Sequence, residues 1–88
     1  MQTKVKRKRQ INMSREEHYI VGYLVALISE FASKYNIMPR QAYAYLKRFK
    51  GLDHFYKHYE VLHTQSFDDS VEVMYEVCKA NGGKLAAL

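Results

Sequence analysis

The spacing of apolar residues along the chain predicts an all-α protein. Apolar side chains recur three and four positions apart, which is the repeat of one face of an α-helix. Four stretches have this pattern, and they predict helices of about 21, 12, 12 and 14 residues. We therefore expect a compact bundle of about four helices, preceded by a disordered basic arm at residues 1–12.

The first predicted helix begins at a capping box and is the most apolar of the four. Ser14 and Glu17 stand three positions apart, so each side chain can bond the backbone N–H of the other. The helix should end near Tyr35. Its inward stripe consists of Ile20, Leu24, Leu27, Ile28, Phe31 and Tyr35. Because Val21 and Val25 lie beside that stripe, the helix is either buried at the centre of the bundle or also contacts a second chain.

The second helix, 39–50, follows a break at Asn36 and Pro39. Asn suits the left-handed conformation at a helix end, and Pro suits the first turn of the next helix. The inward residues are Ala42, Tyr45, Leu46 and Phe49. The outer face is basic and contains Arg40, Tyr43, Lys47 and Lys50. This face is either solvated or binds phosphate groups or an acidic surface.

The third helix, 52–63, and the fourth helix meet at a short polar junction. The third helix should bury Leu52, Phe55, Tyr56, Tyr59 and Leu62, with Gly51 before it as a C-cap or tight bend. His63 falls at its C-terminus, where an imidazole can bond free carbonyls. Ser66 is a natural N-cap, and Asp68 and Asp69 fall in the following first turn, where negative charge is stabilised. These roles explain the three charged side chains without acid–base chemistry.

The fourth helix should bury Phe67, Val71, Met74 and Cys78 and end at Asn81-Gly82-Gly83. Cys78 is interpreted as a small core residue. Since it is the single cysteine, it cannot form an internal disulfide, which favours a reducing, cytoplasmic setting. Residues 84–88 resemble those that a cloning vector leaves before a purification tag.

Length and composition allow one domain, at residues 13–83. The chain has 88 residues, of which 48% are hydrophobic, enough for one modest core. No apolar run approaches the length of a membrane span. Eight tyrosines are more than so small a core can enclose, so some should reach the surface, where tyrosine anchors protein contacts.

Positive charge is concentrated near the N-terminus. The net charge of +5 equals the charge of one segment that has no acid and contains Lys4, Lys6, Arg7, Lys8 and Arg9. The rest of the chain is balanced. The arm is either a solvated tail or an electrostatic contact for nucleic acid or another acidic partner, since clustered cations gain from counterion release on phosphate.

No pattern in the sequence predicts a reaction. The chain has no Gly-rich phosphate loop, no paired-cysteine motif and no nucleophile elbow. His54 and His58 have the spacing of two metal ligands on a helix, but no third ligand follows. We therefore expect no enzyme, no metal and no cofactor.

Several short motifs resemble a family of short bacterial proteins of unknown function. They are Tyr45-Leu46-Lys47-Arg48-Phe49-Lys50-Gly51, the segment 59–64, Ser66-Phe67-Asp68-Asp69 and Asn81-Gly82-Gly83. The resemblance covers roughly residues 17–83. Members of that family are often encoded beside a predicted toxin similar to ADP-ribosyltransferases, which implies an antitoxin or partner role but assigns no residue.

The sequence thus predicts a module that binds a protein partner, and the resemblance implies that this module is antitoxin-like and that the partner is a neighbouring toxin. The predicted contact residues are Tyr43, Tyr59, His63, Thr64, Asp68 and Asp69, and a homodimer is a further expectation. The alternative is a nucleic-acid-binding regulator that uses the basic arm and the Arg40, Lys47 and Lys50 face. No membrane association is expected.

Overall fold

The computed structural model describes residues 14–85, which form five helices and no strands. The helices are α1 (Arg15–Tyr35), α2 (Pro39–Arg48), α3 (Gly51–Lys57), α4 (Tyr59–Leu62) and α5 (Phe67–Ala80). The predicted all-α bundle is confirmed. The predicted basic arm lies outside the described residues. No helix within 14–85 is long and apolar enough to cross a membrane.

Local capping fixes the ends of α1 as predicted. The Glu17 N–H donates to Ser14 Oγ at 3.1 Å, and the Ser14 N–H donates to Glu17 Oε1 at 2.8 Å. At the other end Asn36 adopts the left-handed conformation with φ of 56°. The two caps satisfy backbone groups that a helix end otherwise leaves without partners.

The predicted third helix is two helices. α3 and α4 are separated at His58, whose φ of −119° and ψ of 24° leave the helical range. The His58 carbonyl then accepts from the N–H groups of both Val61 and Leu62. Neither Gly nor Pro stands at the break, so the local residue types gave no signal for it.

The turn between α2 and α3 also differs from the prediction. α2 ends at Arg48, and Lys50, with φ of 74°, takes the left-handed conformation before Gly51. Lys50 is therefore outside the helical face with which it was grouped. Gly51 is needed for space, because a Cβ there would lie 2.8 Å from Leu46 Cδ2 and 3.0 Å from Cys78 Sγ.

The core is formed by all five helices around α1 and α5. Its buried apolar residues are Leu24, Leu27, Phe31, Ala32, Ala42, Tyr45, Leu46, Phe55, Leu62, Val71, Met74 and Cys78. The inward placement of Tyr56 was wrong, since its side chain is 57% exposed. Phe55 occupies the core position of the short α3, and the next residue points about 100° away around the helix.

Gly83 and Phe49 close the C-terminal end of α5. Gly82 has φ of 94°, and the Gly83 N–H donates to the Cys78 carbonyl at 2.8 Å. A Cβ on Gly83 would lie 2.8 Å from the Phe49 ring. Leu85, within the predicted tail, is partly buried and packs against the core.

Candidate protein-binding site

The junction between α4 and α5 holds five of the six predicted protein-contact residues. His63 Nδ1 donates to the Tyr59 carbonyl at 3.0 Å, and its ring stacks on the Tyr59 ring with centroids 4.6 Å apart. Thr64 Oγ1 donates to the Val61 carbonyl at 2.7 Å. His63 and Thr64 therefore satisfy carbonyls at the end of α4, as predicted for His63, while both residues remain exposed.

Beneath the junction lies a partly buried group of three oxygens, here called the polar hub: the Tyr23 hydroxyl, the Ser70 hydroxyl and the Leu62 carbonyl. Tyr23 Oη and Ser70 Oγ each lie 2.9 Å from the Leu62 oxygen. The two hydroxyl oxygens are 3.1 Å apart. Ser70 is fully buried, so the hub links α1, α4 and α5 inside the protein.

The protons available to the polar hub are sufficient to satisfy it. Tyr23 and Ser70 each have one hydroxyl proton, and both can donate to the Leu62 carbonyl, which has two lone pairs. Gln65 Nε2 donates a further bond to Ser70 Oγ at 3.4 Å. A buried polar group without such partners would destabilise the fold, so this arrangement favours one position of α5 against α4.

The start of α5 is held by its predicted N-cap. The Asp69 N–H donates to Ser66 Oγ at 3.1 Å. Asp68 and Asp69 lie in the first turn and are exposed. The His63 ring contacts Tyr59, and the two aspartates occupy the first turn of α5, where negative charge is stabilised.

Aromatic rings support the junction from below. Tyr59 is half-buried, and its ring meets the Tyr23 and Phe55 rings edge-on at 5.8 and 5.7 Å. Tyr23 also stacks on Phe67 at 5.0 Å. The exposed imidazole of His63 therefore lies on a layer of packed rings.

The sequence interpretation missed Tyr23 and Ser70. Tyr23 stands four positions before Leu27, and Ser70 stands four positions before Met74, so helical periodicity places both on inward faces. Their polar atoms kept them off an apolar stripe. The signal that finds them is a polar residue at an inward position of each of two packed helices.

Tyr43 is separate from the junction. It is 44% exposed on α2, beside the exposed Arg40 and Lys47. α2 leads into Phe49, which packs on Gly83 after the C-terminus of α5, whereas the junction precedes the N-terminus of α5. The basic outer face of α2 is thus exposed as predicted, but at the opposite end of α5 from His63.

The histidine pair at the C-terminal end of α3 and the thiol of Cys78 are the other side chains that the sequence offered for chemistry. The His54 and His58 rings are 4.3 Å apart, and burial, then the charges of His58 and Lys57, lower the pKa of His54. Within residues 14–85 no group of three or more His, Cys, Asp and Glu is placed to hold a metal. Burial raises the pKa of the Cys78 thiol to about 11, and the predicted core role is confirmed.

Comparison with known families places the chain in a family of unknown function. The profile of a family described as proteins of unknown function, DUF3791, matches residues 22–81. The chain belongs to this family. Searches of curated proteins and of solved structures gave no match. The matched residues of DUF3791 contain the whole polar hub and the junction, while the basic arm lies outside them.

Proposed function

We propose that this DUF3791 protein is a small protein-interaction module, an antitoxin-like partner of a neighbouring toxin, that binds through the α4–α5 junction. The observation that carries the proposal is the exposure of His63, Thr64, Asp68 and Asp69 on backbone that the polar hub holds in place. The toxin is suggested by the resemblance described above.

A fixed junction favours binding for a physical reason. Ordering side chains and loops on association lowers affinity, so a surface that is already ordered loses less. At the junction His63 is held by a hydrogen bond and by stacking on Tyr59, and Thr64 by a bond to Val61. Asp68 and Asp69 add two negative charges, which suit a partner with basic residues.

The test begins with capture of the partner from the native host and continues with the two purified proteins. Asp68→Lys reverses one charge of the junction and should weaken binding at least about tenfold. Glu30→Lys makes the same change on an exposed position of α1, away from the junction, and should leave binding unchanged. Circular dichroism checks that both variants fold. Equal affinities of the two variants would contradict the proposed site.

The second candidate function is nucleic-acid binding. Its supporting observation is the exposed basic face of α2, where Arg40 and Lys47 flank Tyr43 and no acid interrupts the helix. Lys50 is exposed just beyond. This function requires an affinity for DNA or RNA that falls steeply with salt, and a smaller salt slope after Arg40→Gln and Lys47→Gln. Salt-independent or absent binding would exclude it.

A further inference from the structure

A cleft with apolar side chains at its centre lies between the first turns of α1 and the two short helices α3 and α4. It consists of two adjoining hollows of about 420 and 310 Å³ that share Ile20 and Tyr56. Val61 lines the larger hollow and Val21 the smaller one. Tyr56 is 57% exposed and Val61 62%. A continuous exposed patch of this kind is typical of a binding surface.

The charged side chains of the cleft are predominantly acidic. Glu16 and Glu60 line the larger hollow and Glu17 the smaller one. They face Lys57 and the imidazole of His58, which also line the larger hollow. All five side chains are exposed. An excess of carboxylates around apolar side chains suits an occupant that combines cations with apolar residues.

The chain contains such a segment immediately before α1. The basic arm has five cations between residues 4 and 9 and no acid. Val5 and Ile11 supply apolar side chains, and Met13 follows the arm. Residues 10–13 are uncharged, so the apolar side chains of Ile11 and Met13 come nearest to Ser14 along the chain and the cations lie further from it.

The arm also ends where the cleft begins. Ser14 caps α1, and the cleft takes its α1 wall from residues between Glu16 and Val21. Because a helix rises about 1.5 Å per residue, that wall lies within about 10 Å of Ser14 along the helix axis. Twelve extended residues span about 40 Å, so the arm is long enough to cross the cleft and reach Glu60 on its far wall.

We propose that the basic arm of the same chain docks in this cleft, with its apolar residues against Tyr56 and Val61 and its cations beside Glu16 and Glu60. A tethered segment has a high effective concentration, so charge pairs that are weak one by one suffice to hold it. The inference rests on neither proposed function. Docking leaves the exposed junction side chains available to a partner, and nucleic acid has to compete with the two glutamates for the cations of the arm.

Paramagnetic relaxation tests the position of the arm in the full chain. Thr3→Cys supplies the site for a nitroxide spin label, because the thiol of Cys78 is buried and its pKa is raised to about 11. The label should broaden the amide signals of residues 56–61 more than those of α2. The difference should decrease at about 1 M salt, where charges are screened within about 3 Å. Equal broadening of the two regions at low salt would overturn the proposal.

Matched charge reversals test the acidic side chains of the cleft. Glu16→Lys combined with Glu60→Lys turns attraction into repulsion and should lower the ratio of docked to free arm about tenfold. Glu30→Lys combined with Glu76→Lys makes the same change in net charge at exposed positions outside the cleft, and should leave the broadening unchanged. Circular dichroism checks that both double variants fold. Equal broadening of residues 56–61 in the two double variants would overturn the proposal.

A mixed sample distinguishes the arm of the same chain from the arm of a second copy. Spin-labelled chains without nitrogen-15 are mixed with nitrogen-15 chains that carry no spin label. Docking within one chain predicts no broadening of residues 56–61 in this mixture. Broadening as strong as in the chain that carries its own spin label would place the arm of another copy in the cleft and overturn the proposal.

Discussion

At the N-terminal end of α5, the hydroxyls of the buried Ser70 and of Tyr23 both donate to the Leu62 carbonyl, whereas at the C-terminal end Gly83 packs directly against the Phe49 ring. Because hydrogen bonds are directional, those at the N-terminal end set the angle of α5 against α4. Because close packing is governed by volume, the C-terminal end requires that Gly83 has no Cβ.

The two ends also differ in how the hydroxyl of an inward tyrosine is bonded. The Tyr23 hydroxyl is bonded, while the buried Tyr45 hydroxyl has no partner among the described residues. Burial, more than the neighbouring Cys78, Tyr75 and Tyr35, raises the pKa of Tyr45 to about 12. At neutral pH Tyr45 is therefore a protonated donor without an acceptor, and its ring supplies its stabilising contacts.

The largest predicted effect is the loss of close packing at the C-terminal end of α5. Gly83→Ala places a Cβ 2.8 Å from the Phe49 ring and close to the Cys78 carbonyl, and should lower the free energy of unfolding by roughly 3 kcal/mol. Gly22→Ala is the control, because nothing lies within 4 Å of a Cβ there. It should raise the free energy of unfolding by about 0.5–1 kcal/mol, since alanine favours the helix. Urea unfolding measures both, and equal values would contradict the packing argument.

A smaller effect is expected at the N-terminal end of α5, where the polar hub lies. Ser70→Ala removes one donor from the Leu62 carbonyl and should lower the free energy of unfolding by about 2 kcal/mol. Ser29→Ala, at an exposed position of α1, should change it by less than about 0.5 kcal/mol. A Ser70→Ala loss no larger than that of the control would show that the polar hub is not stabilising.

The third prediction concerns pH and is the smallest. Burial holds the pKa of His54 below its usual 6.5, so the unfolded chain takes up a proton more readily than the folded one. Stability from this residue is present above pH 6.5 and is lost as pH falls through the lower folded pKa. His54→Gln should therefore reduce the fall in unfolding free energy on acidification. If the unfolding free energy of His54→Gln fell with pH as steeply as that of the wild type, this contribution of His54 would be contradicted.

The sequence predicts those features of the fold that depend only on residues close together in the chain. The caps at Ser14, Asn36 and Ser66 are local, and the structure has all three. Helical periodicity does not describe the break at His58, the left-handed Lys50 or the exposure of Tyr56. The polar hub joins residues 47 positions apart in sequence, so it appears only when the helices are placed.

The difference between Tyr23 and Tyr45 tests most directly whether the polar hub fixes the junction. The measurement is the free energy of unfolding of Tyr23→Phe and Tyr45→Phe against the wild type, at neutral pH. Tyr23→Phe deletes a bonded hydroxyl and should lose about 1–2 kcal/mol, whereas Tyr45→Phe deletes an unpartnered one and should lose nothing or become more stable. Equal losses from the two variants, or a larger loss from Tyr45→Phe, would contradict the claim that the polar hub fixes the junction.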